Sequence, residues 1–376
     1  MLTYEDSPQE ADFRAALRAW LAGHTPAGPR PLGGPERAAF DTAWHRALFR
    51  DGWMGLSWPA DYGGRGLPPV YEAVLADEVG AAGAPPVPHS AFLGRALLHH
   101  GTAEQRRRFL PGLLSGEEIW CQGFSEPDAG SDLAALSTRA EPAGTGYVVT
   151  GRKIWTSDAA WADRCLLVAR TDPGAARHRG LSALVVDMGE PGVTVRPIRQ
   201  ANGDEEFNEV LLDGVRVPAG RVVGRPGDGW RVAMTTVAYE RGPADIGFSS
   251  RYARAIRRLA GQAAHADRPP AVRRAVARAF VHTEMLRLHV LRSLSARSDG
   301  APPGPESSVD KLLSTRTEQL LYQVAMDALG TAPLLGDEGP ALFDYLYSRA
   351  ASIAGGTSQI QRSIVAERLL HLPRAR

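Results

Sequence analysis

Apolar residues recur at helical spacing over the first third of the chain. In PQEADFRAALRAWLAG, Phe13, Leu17, Trp20 and Leu21 fall on one face and Gly23 marks a stop. ERAAFDTAWHRALFRDG repeats the pattern up to Gly52, and PPVYEAVLADEVGAAG and TAEQRRRFLPGLLSG are further helix candidates. From residue 119 the period changes. GYVVTGRKIWTS, CLLVAR, LSALVVD, VTVRPI and NEVLLDGVRVP are short runs rich in β-branched residues, separated by the turn formers EPAGTG, TDPG, GEPG and DG. No crossover helix fits between them, so a mostly antiparallel barrel or sandwich is expected rather than a doubly wound sheet. From residue 228 the helical period returns, with one long helical stretch from Gly229, a second from about Pro270 to Arg297, a third ending at Gly330, a fourth after Pro340 and a fifth after Gly356. Long helices with few breaks read as an antiparallel bundle. The pattern predicts a multidomain α+β chain: a helical domain over residues 1–118, a β-domain over 119–225 and a helical bundle over 226–376.

Composition narrows the function classes. The 376 residues carry a formal net charge of +1 and are 44% hydrophobic, enough for sizeable cores and with no overall bias toward nucleic acid or anionic lipid. The two cysteines, Cys121 and Cys165, form neither a metal-spaced cluster nor a disulfide framework, and a cytoplasmic location is expected. No apolar run reaches the ~18 residues of a membrane span, and the first residues have no apolar signal core. The histidines form no metal set. H-E-x-x-H, C-x-x-C, G-x-S-x-G, G-x-G-x-x-G and the P-loop are all absent.

Four stretches offer chemistry. CQGFSEPDAGSDL lies where helices give way to strands. Ser125, Ser131 and Thr138 offer hydroxyls there and Gly130 permits a tight path, as in a loop holding the acceptor edge of a ring or as in a domain junction. GRKIWTSDAAWAD places Trp155 and Trp161 at a strand end, as a stacking surface with Ser157 at its edge or as interface core. In VAYERGPADIG, Glu240 sits in a helical pattern, as a general base beside a pocket or as a surface carboxylate. Near the end, ASIAGGTSQIQRSIVAERLL joins Gly355 and Gly356, free to approach closely or take positive φ, to a helix start. Thr357 or Ser358 can cap that helix, and Ser358 and Gln361 have the spacing of a capping box.

Taken together and in order, FSEPDAGSDL, GRKIWTS, NEVLLDGVRVP, YERG and GGTSQIQRSIVAERLL, with GLSWPADYGGRGLP nearer the start, resemble the acyl-CoA dehydrogenase family over nearly the whole chain. The resemblance implies an N-terminal helical domain, a middle β-domain and a C-terminal four-helix bundle. FAD would lie between the last two. The family oxidises the Cα–Cβ bond of an acyl-CoA thioester to the 2-enoyl product and passes electrons to electron-transferring flavoprotein. Carried over residue by residue, the resemblance places Phe124, Ser125, Trp155 and Ser157 on the flavin, Thr357 and Gln359 on FAD from the last helix start, and Ser131 and Arg241 on the CoA portion.

Many members carry the catalytic glutamate two residues before the threonine of the terminal motif, and that position here is Gly355. A subset carries it just before the bundle arginine, and that residue here is Glu240. The resemblance therefore implies a relocated base, with Gly355 retaining the backbone N–H that serves the thioester oxygen. The bundle Phe-Gly pair of many members is absent, and Arg268, Arg273 and Arg274 are the candidate pyrophosphate contacts in its place. These departures resemble actinobacterial members acting on bulky or steroid side chains. The expected assembly is a homodimer or tetramer, or a heteromer with a sister chain. Two other activities fit the same fold: a flavoenzyme acting on carrier-bound acyl groups or as an oxidase or monooxygenase, and a non-catalytic partner subunit.

Overall fold

The computed structural model describes residues 5–88, 91–240, 245–263, 270–296, 303–335 and 340–374. Among these, α1 (Pro8–His24), α2 (Gly34–Arg50), α3 (Val70–Ala82), α4 (Ala91–His100) and α5 (Ala103–Ser115) precede the strands. Ser7 and Thr102 cap α1 and α5 through reciprocal bonds with Glu10 and Gln105, so each helix start is written locally in the sequence. The strands are β1 (Trp120–Gly123), β2 (Arg139–Ala143), β3 (Gly146–Ser157), β4 (Arg164–Arg170), β5 (Leu181–Asp187), β6 (Val193–Pro197), β7 (Phe207–Pro218) and β8 (Val222–Val223). Then follow α6 (Gly229–Glu240), α7 (Asp245–Ala263), α8 (Pro270–Ser295), α9 (Ser307–Leu329), α10 (Pro340–Tyr347) and α11 (Ser358–Ile364). The stretch read from sequence as one long helix is α6 up to Glu240 and α7 from Asp245. Residues 241–244, with the expected CoA contact Arg241, lie outside the described residues, as does Arg268. Arg273 and Arg274 lie exposed on α8.

The chain forms two compact units built from non-contiguous stretches. One comprises Arg30–Gly66 and Pro88–Glu240. Its strands run in the order β6-β7-β3-β2-β4-β5-β8, with β1 added on β4. The pairings are antiparallel except β1 with β4 and a single register pair of β2 with β4, in line with the turn-rich sequence. Inward residues such as Val149, Leu167, Leu184, Val210 and Val215 form the sheet core. Gln105 of α5 donates from Nε2 to the carbonyls of Gly220 and Val222, at 2.8 and 2.7 Å, tying that helix to the end of the sheet.

The other unit comprises Met1–Pro29, Leu67–Val87 and Arg241–Arg376. Here α7, α8 and α9 share a core of Tyr252, Ile256, Val276, Ala279, Leu286, Val290, Leu321 and Val324. The crossing of α3 on α7 requires glycine, since a Cβ on Gly80 would stand 2.3 Å from the carbonyl oxygen of Gly247. Within this bundle α9 presents Ser314, Glu318 and Tyr322 at successive helical turns, close to Tyr252 of α7 and Asp344 of α10. Burial pushes the Glu318 carboxyl up to about 7, against the opposing bond from Tyr252, and pushes Asp344 up to about 6 against the charge of Arg251.

A raised carboxyl pKa means that the folded chain holds a proton the unfolded chain has released. Stability from Glu318 therefore falls as pH rises from its ordinary 4.5 toward about 7, and stays low above that. Glu318→Gln is expected to stabilise the protein near pH 8 by on the order of 1 kcal/mol, because a neutral amide then replaces a carboxylate whose charge burial disfavours. Near pH 5 it should change little. Thermal unfolding at both pH values reads the difference, and an equal effect at the two would refute it.

Candidate active site

The FSEPDAGSDL loop leaves β1 after Gly123 and is pinned from beneath by a buried ion pair. Lys153 on β3 has no exposed surface, and its Nζ donates to Glu126 Oε1 at 2.8 Å and to the Phe124 carbonyl at 3.0 Å. Glu126 further accepts from Ser137 N and Oγ, both at 2.7 Å, and from Thr138 N at 2.9 Å. Burial pushes the Glu126 carboxyl up. The Lys153 charge and these hydrogen bonds outweigh burial and hold it at about 2. Burial draws Lys153 down, and Glu126 opposes it. The pair stays ionised, and the loop backbone from Phe124 to Glu126 is fixed. Phe124 is buried, Ser125 is half-buried, and the Ser125 carbonyl accepts from Ile154 N at 3.0 Å, which joins the loop to β3.

Two residues past Lys153 the strand is irregular. The register against β7 shifts between Lys153 and Thr156, and Trp155 stands in that shift at φ 61. A bulge of this kind turns a side chain out of the alternating pattern. Trp155 is 57% exposed, with Phe207 edge-on at 6.2 Å. Positive φ on an indole-bearing residue is strained, and so large an exposed apolar face is costly in water. Both costs are offset where a flat ring lies on the indole. This arrangement fits a flavin ring, with the fixed loop and the half-buried Ser157 beside it. Ser131 lies exposed further along the loop.

Glu240 is the last residue of α6 and is half-buried. The helix end that carries it is held against α4. His100 Nε2 lies 2.8 Å from Thr235 Oγ1, and His99 Nε2 lies 2.9 Å from Tyr239 Oη.

In the bundle unit, Gly355 and Gly356 have φ of 62 and 92, the left-handed region that favours glycine. Gln361, fully buried, reaches back from α11. Its Nε2 donates to the carbonyls of Gly355 and Gly356 at 3.0 and 3.3 Å, and a Cβ on Gly356 would stand 2.7 Å from that nitrogen. Thr357 caps α11 by accepting from Ile360 N at 3.2 Å. The capping box expected between Ser358 and Gln361 does not form, because the Gln361 amide is taken up by the glycine turn. Gln359 is exposed on the first turn of α11. A carboxylate at position 355 would require a side chain on a left-handed backbone, so this turn is shaped for a residue without one.

Each unit thus gathers its own share of the predicted residues: Phe124, Ser125, Trp155, Ser157 and Glu240 in one, Gly355, Thr357 and Gln359 in the other. Sequence reading did not single out Lys153 or Glu126, and it read Gln361 only as a capping-box partner. The signal for the pair was a lysine at an inward position of an apolar strand, which demands a carboxylate partner. Among the described residues no group of three or more His, Cys, Asp or Glu could hold a metal, and no helix is long and apolar enough to cross a membrane.

Comparison with known proteins agrees with these stretches. The family description "acyl-CoA dehydrogenase" matches as N-terminal domain over residues 7–117, as middle domain over 121–215 and as C-terminal domain over 227–370. Acyl-CoA dehydrogenase IpdE1 of Mycolicibacterium smegmatis is 43% identical over 96% of this chain and 98% of its own length, and IpdE1 of Mycobacterium tuberculosis is 42% identical with the same coverage. Among solved structures, the Tcur3481-Tcur3483 steroid ACAD superposes with a TM-score of 0.86 at 32% identity over the whole of both chains.

Proposed function

The chain belongs to the acyl-CoA dehydrogenase family, and from that premise we propose that it oxidises the Cα–Cβ bond of an acyl-CoA thioester with Glu240 as the base. It is an FAD-dependent dehydrogenase. The observation that carries the finer reading is a pair. A carboxylate, Glu240, ends a helix held by α4, while the alternative position, Gly355, lies in a left-handed turn without a side chain.

Each residue then has a role. The Glu240 carboxylate accepts the α-proton. The Gly355 N–H donates to the thioester oxygen as negative charge develops there. Trp155 would hold the isoalloxazine ring, with the Phe124–Ser125 backbone and the Ser157 hydroxyl as the partners for its polar edge. Thr357 and Gln359 would hold FAD from the α11 start, and Ser131 and, by family pattern, Arg241 would serve the CoA portion. The chemistry that bound FAD would supply is a two-electron acceptor for the β-hydrogen. The two hydrogens leave as a proton and a hydride, so the oxidation balances. Electron-transferring flavoprotein is the proposed acceptor.

The solved neighbour described as a steroid ACAD supports a bulky, steroid-derived acyl group as the substrate class. The two-chain name Tcur3481-Tcur3483, and the ChsE4-ChsE5 complex from Mycobacterium tuberculosis at TM-score 0.83 and 30% identity, support assembly with a sister chain. The test is anaerobic titration of the purified flavoprotein, alone and with a co-expressed sister chain, against straight, branched and steroid acyl-CoAs. Bleaching of the flavin by the bulky members is expected. If no acyl-CoA bleaches the flavin in either preparation, the reading is wrong.

A further inference from the structure

The Gly355 turn is held from two sides. On the far side, Gln361 takes the carbonyls of Gly355 and Gly356. On the near side, α9 grips the residues that lead into the turn. Lys311 Nζ and Thr315 Oγ1 both donate to the Ala351 carbonyl, at 2.9 and 3.0 Å. One helical turn on, Gln319 Nε2 donates to the Ser348 carbonyl and to Ser352 Oγ, both at 3.2 Å. Positions 311, 315 and 319 are four apart, so they share one face of α9 and together hold the 348–352 stretch to it. From there the path is fixed residue by residue. Ile353 N and Ala354 N both donate to the Ala350 carbonyl, at 2.8 and 2.9 Å. Gly355 comes next, at φ 62. Among the described residues its N–H donates to no protein group, although its carbonyl is taken. A backbone donor left open in a turn fixed on both sides has the form of a preorganised oxyanion donor.

We propose that Lys311, Thr315 and Gln319 are positioning residues for the dehydrogenation: by fixing the 348–352 stretch they set the direction in which the Gly355 N–H meets the thioester oxygen. The inference rests on the proposed role of that N–H. Direction matters because an N–H···O bond weakens steeply once it bends below ~120°. Misplacement by about 1 Å, even from a change far from the reacting atoms, can cost about 10²-fold in rate. Gly355 has no side chain through which its own position could be fixed, so its aim comes from the chain on either side. Packing alone would need only apolar contacts at this point. Instead three polar side chains, one of them a cation, are spent mostly on backbone carbonyls, and such bonds define direction as well as distance.

The measurement is the ionisation of bound acetoacetyl-CoA, whose α-proton is acidic enough to leave to solvent without a base. The parent is the Glu240→Gln flavoprotein, prepared with the sister chain if one is needed, so that the donor to the thioester oxygen acts on the ligand without the base. The ultraviolet absorbance of the enolate against pH gives the pKa of the bound ligand. Binding below that pKa gives the affinity of the neutral form. In the parent the bound ligand is expected to ionise at lower pH than the free ligand. Thr315→Val with Gln319→Leu removes two donors and no charge. This pair is expected to raise the bound pKa by about one unit, tenfold in enolate, while the neutral form binds within about twofold of the parent. Lys311→Met should act in the same direction, whereas Lys311→Arg and Thr315→Ser, which keep a donor, should stay close to the parent. An unshifted pKa in the Thr315→Val, Gln319→Leu protein overturns the positioning role. So does a shift confined to Lys311→Met, which is a remote effect of charge, and so does equal weakening of both ligand forms, which is loss of fold. If the parent leaves the ligand's pKa at its free value, the Gly355 N–H is not the oxyanion donor and the proposal falls with it. None of these outcomes bears on Glu240 as the base, because the parent lacks it.

Discussion

Glu240→Gln is expected to keep FAD bound and to slow anaerobic flavin reduction by acyl-CoA about 10²–10⁴-fold, the usual contribution of a positioned general base. Glutamine preserves the shape of the helix end and the contacts of Tyr239, so the loss would be chemical rather than structural. Gly355 cannot compensate, having no side chain to titrate. Stopped-flow reduction under anaerobic conditions measures the effect, and flavin content measured on the same sample separates lost chemistry from lost cofactor. Reduction at the unsubstituted rate would remove Glu240 from the mechanism. Adding Gly355→Glu to the Glu240→Gln protein is not expected to restore the rate, because the left-handed backbone there resists a side chain.

Lys153→Met should be the most damaging single change to stability. It leaves the Glu126 carboxylate, only 5% exposed, without its counter-charge. Breaking one partner out of a buried ion pair costs about 3–5 kcal/mol, and here the three bonds from Ser137 and Thr138 place the expected loss at the lower end, about 3 kcal/mol. Adding Glu126→Gln should recover much of it, since the stranded charge is then gone. Both variants lose the bond that fixes the Phe124 carbonyl, so both should release flavin more readily than the parent even where stability returns. Thermal unfolding and flavin retention on gel filtration read the two effects. A double variant no more stable than Lys153→Met would show that charge is not the cause.

The pair also sets an acid limit. With its folded pKa depressed from 4.5 to about 2, Glu126 contributes stability that is full above 4.5 and lost as pH falls toward 2. In the Lys153→Met protein this portion of the acid-unfolding curve should move to higher pH.

Much of the architecture was readable because the signals are local. The helical spacing of Leu17 and Leu21 defines the buried face of α1, and the Ser7–Glu10 and Thr102–Gln105 pairs write their own helix starts. The cap of α11 was harder to read. Thr357 and Ser358 are equivalent on propensity, and the choice is made by Gln361, whose amide the glycine turn recruits. Trp155 read equally well as stacking surface or core. Its exposure follows from the register shift of β3 against β7, and a pairing partner on a distant strand is not written in GRKIWTS.

By itself the sequence determined the succession of helical and strand periods, the two glycines before Thr357, and the presence of a carboxylate at 240 with none at 355. These are properties of neighbouring residues, and backbone sterics and side-chain periodicity act over a turn or two. Only the tertiary structure decided that Lys153 answers Glu126 at 27 residues' separation, and that His99 meets Tyr239 at 140. Such pairs are chosen by which strands and helices come to lie together, and the cost of burying a charge then dictates who its partner must be.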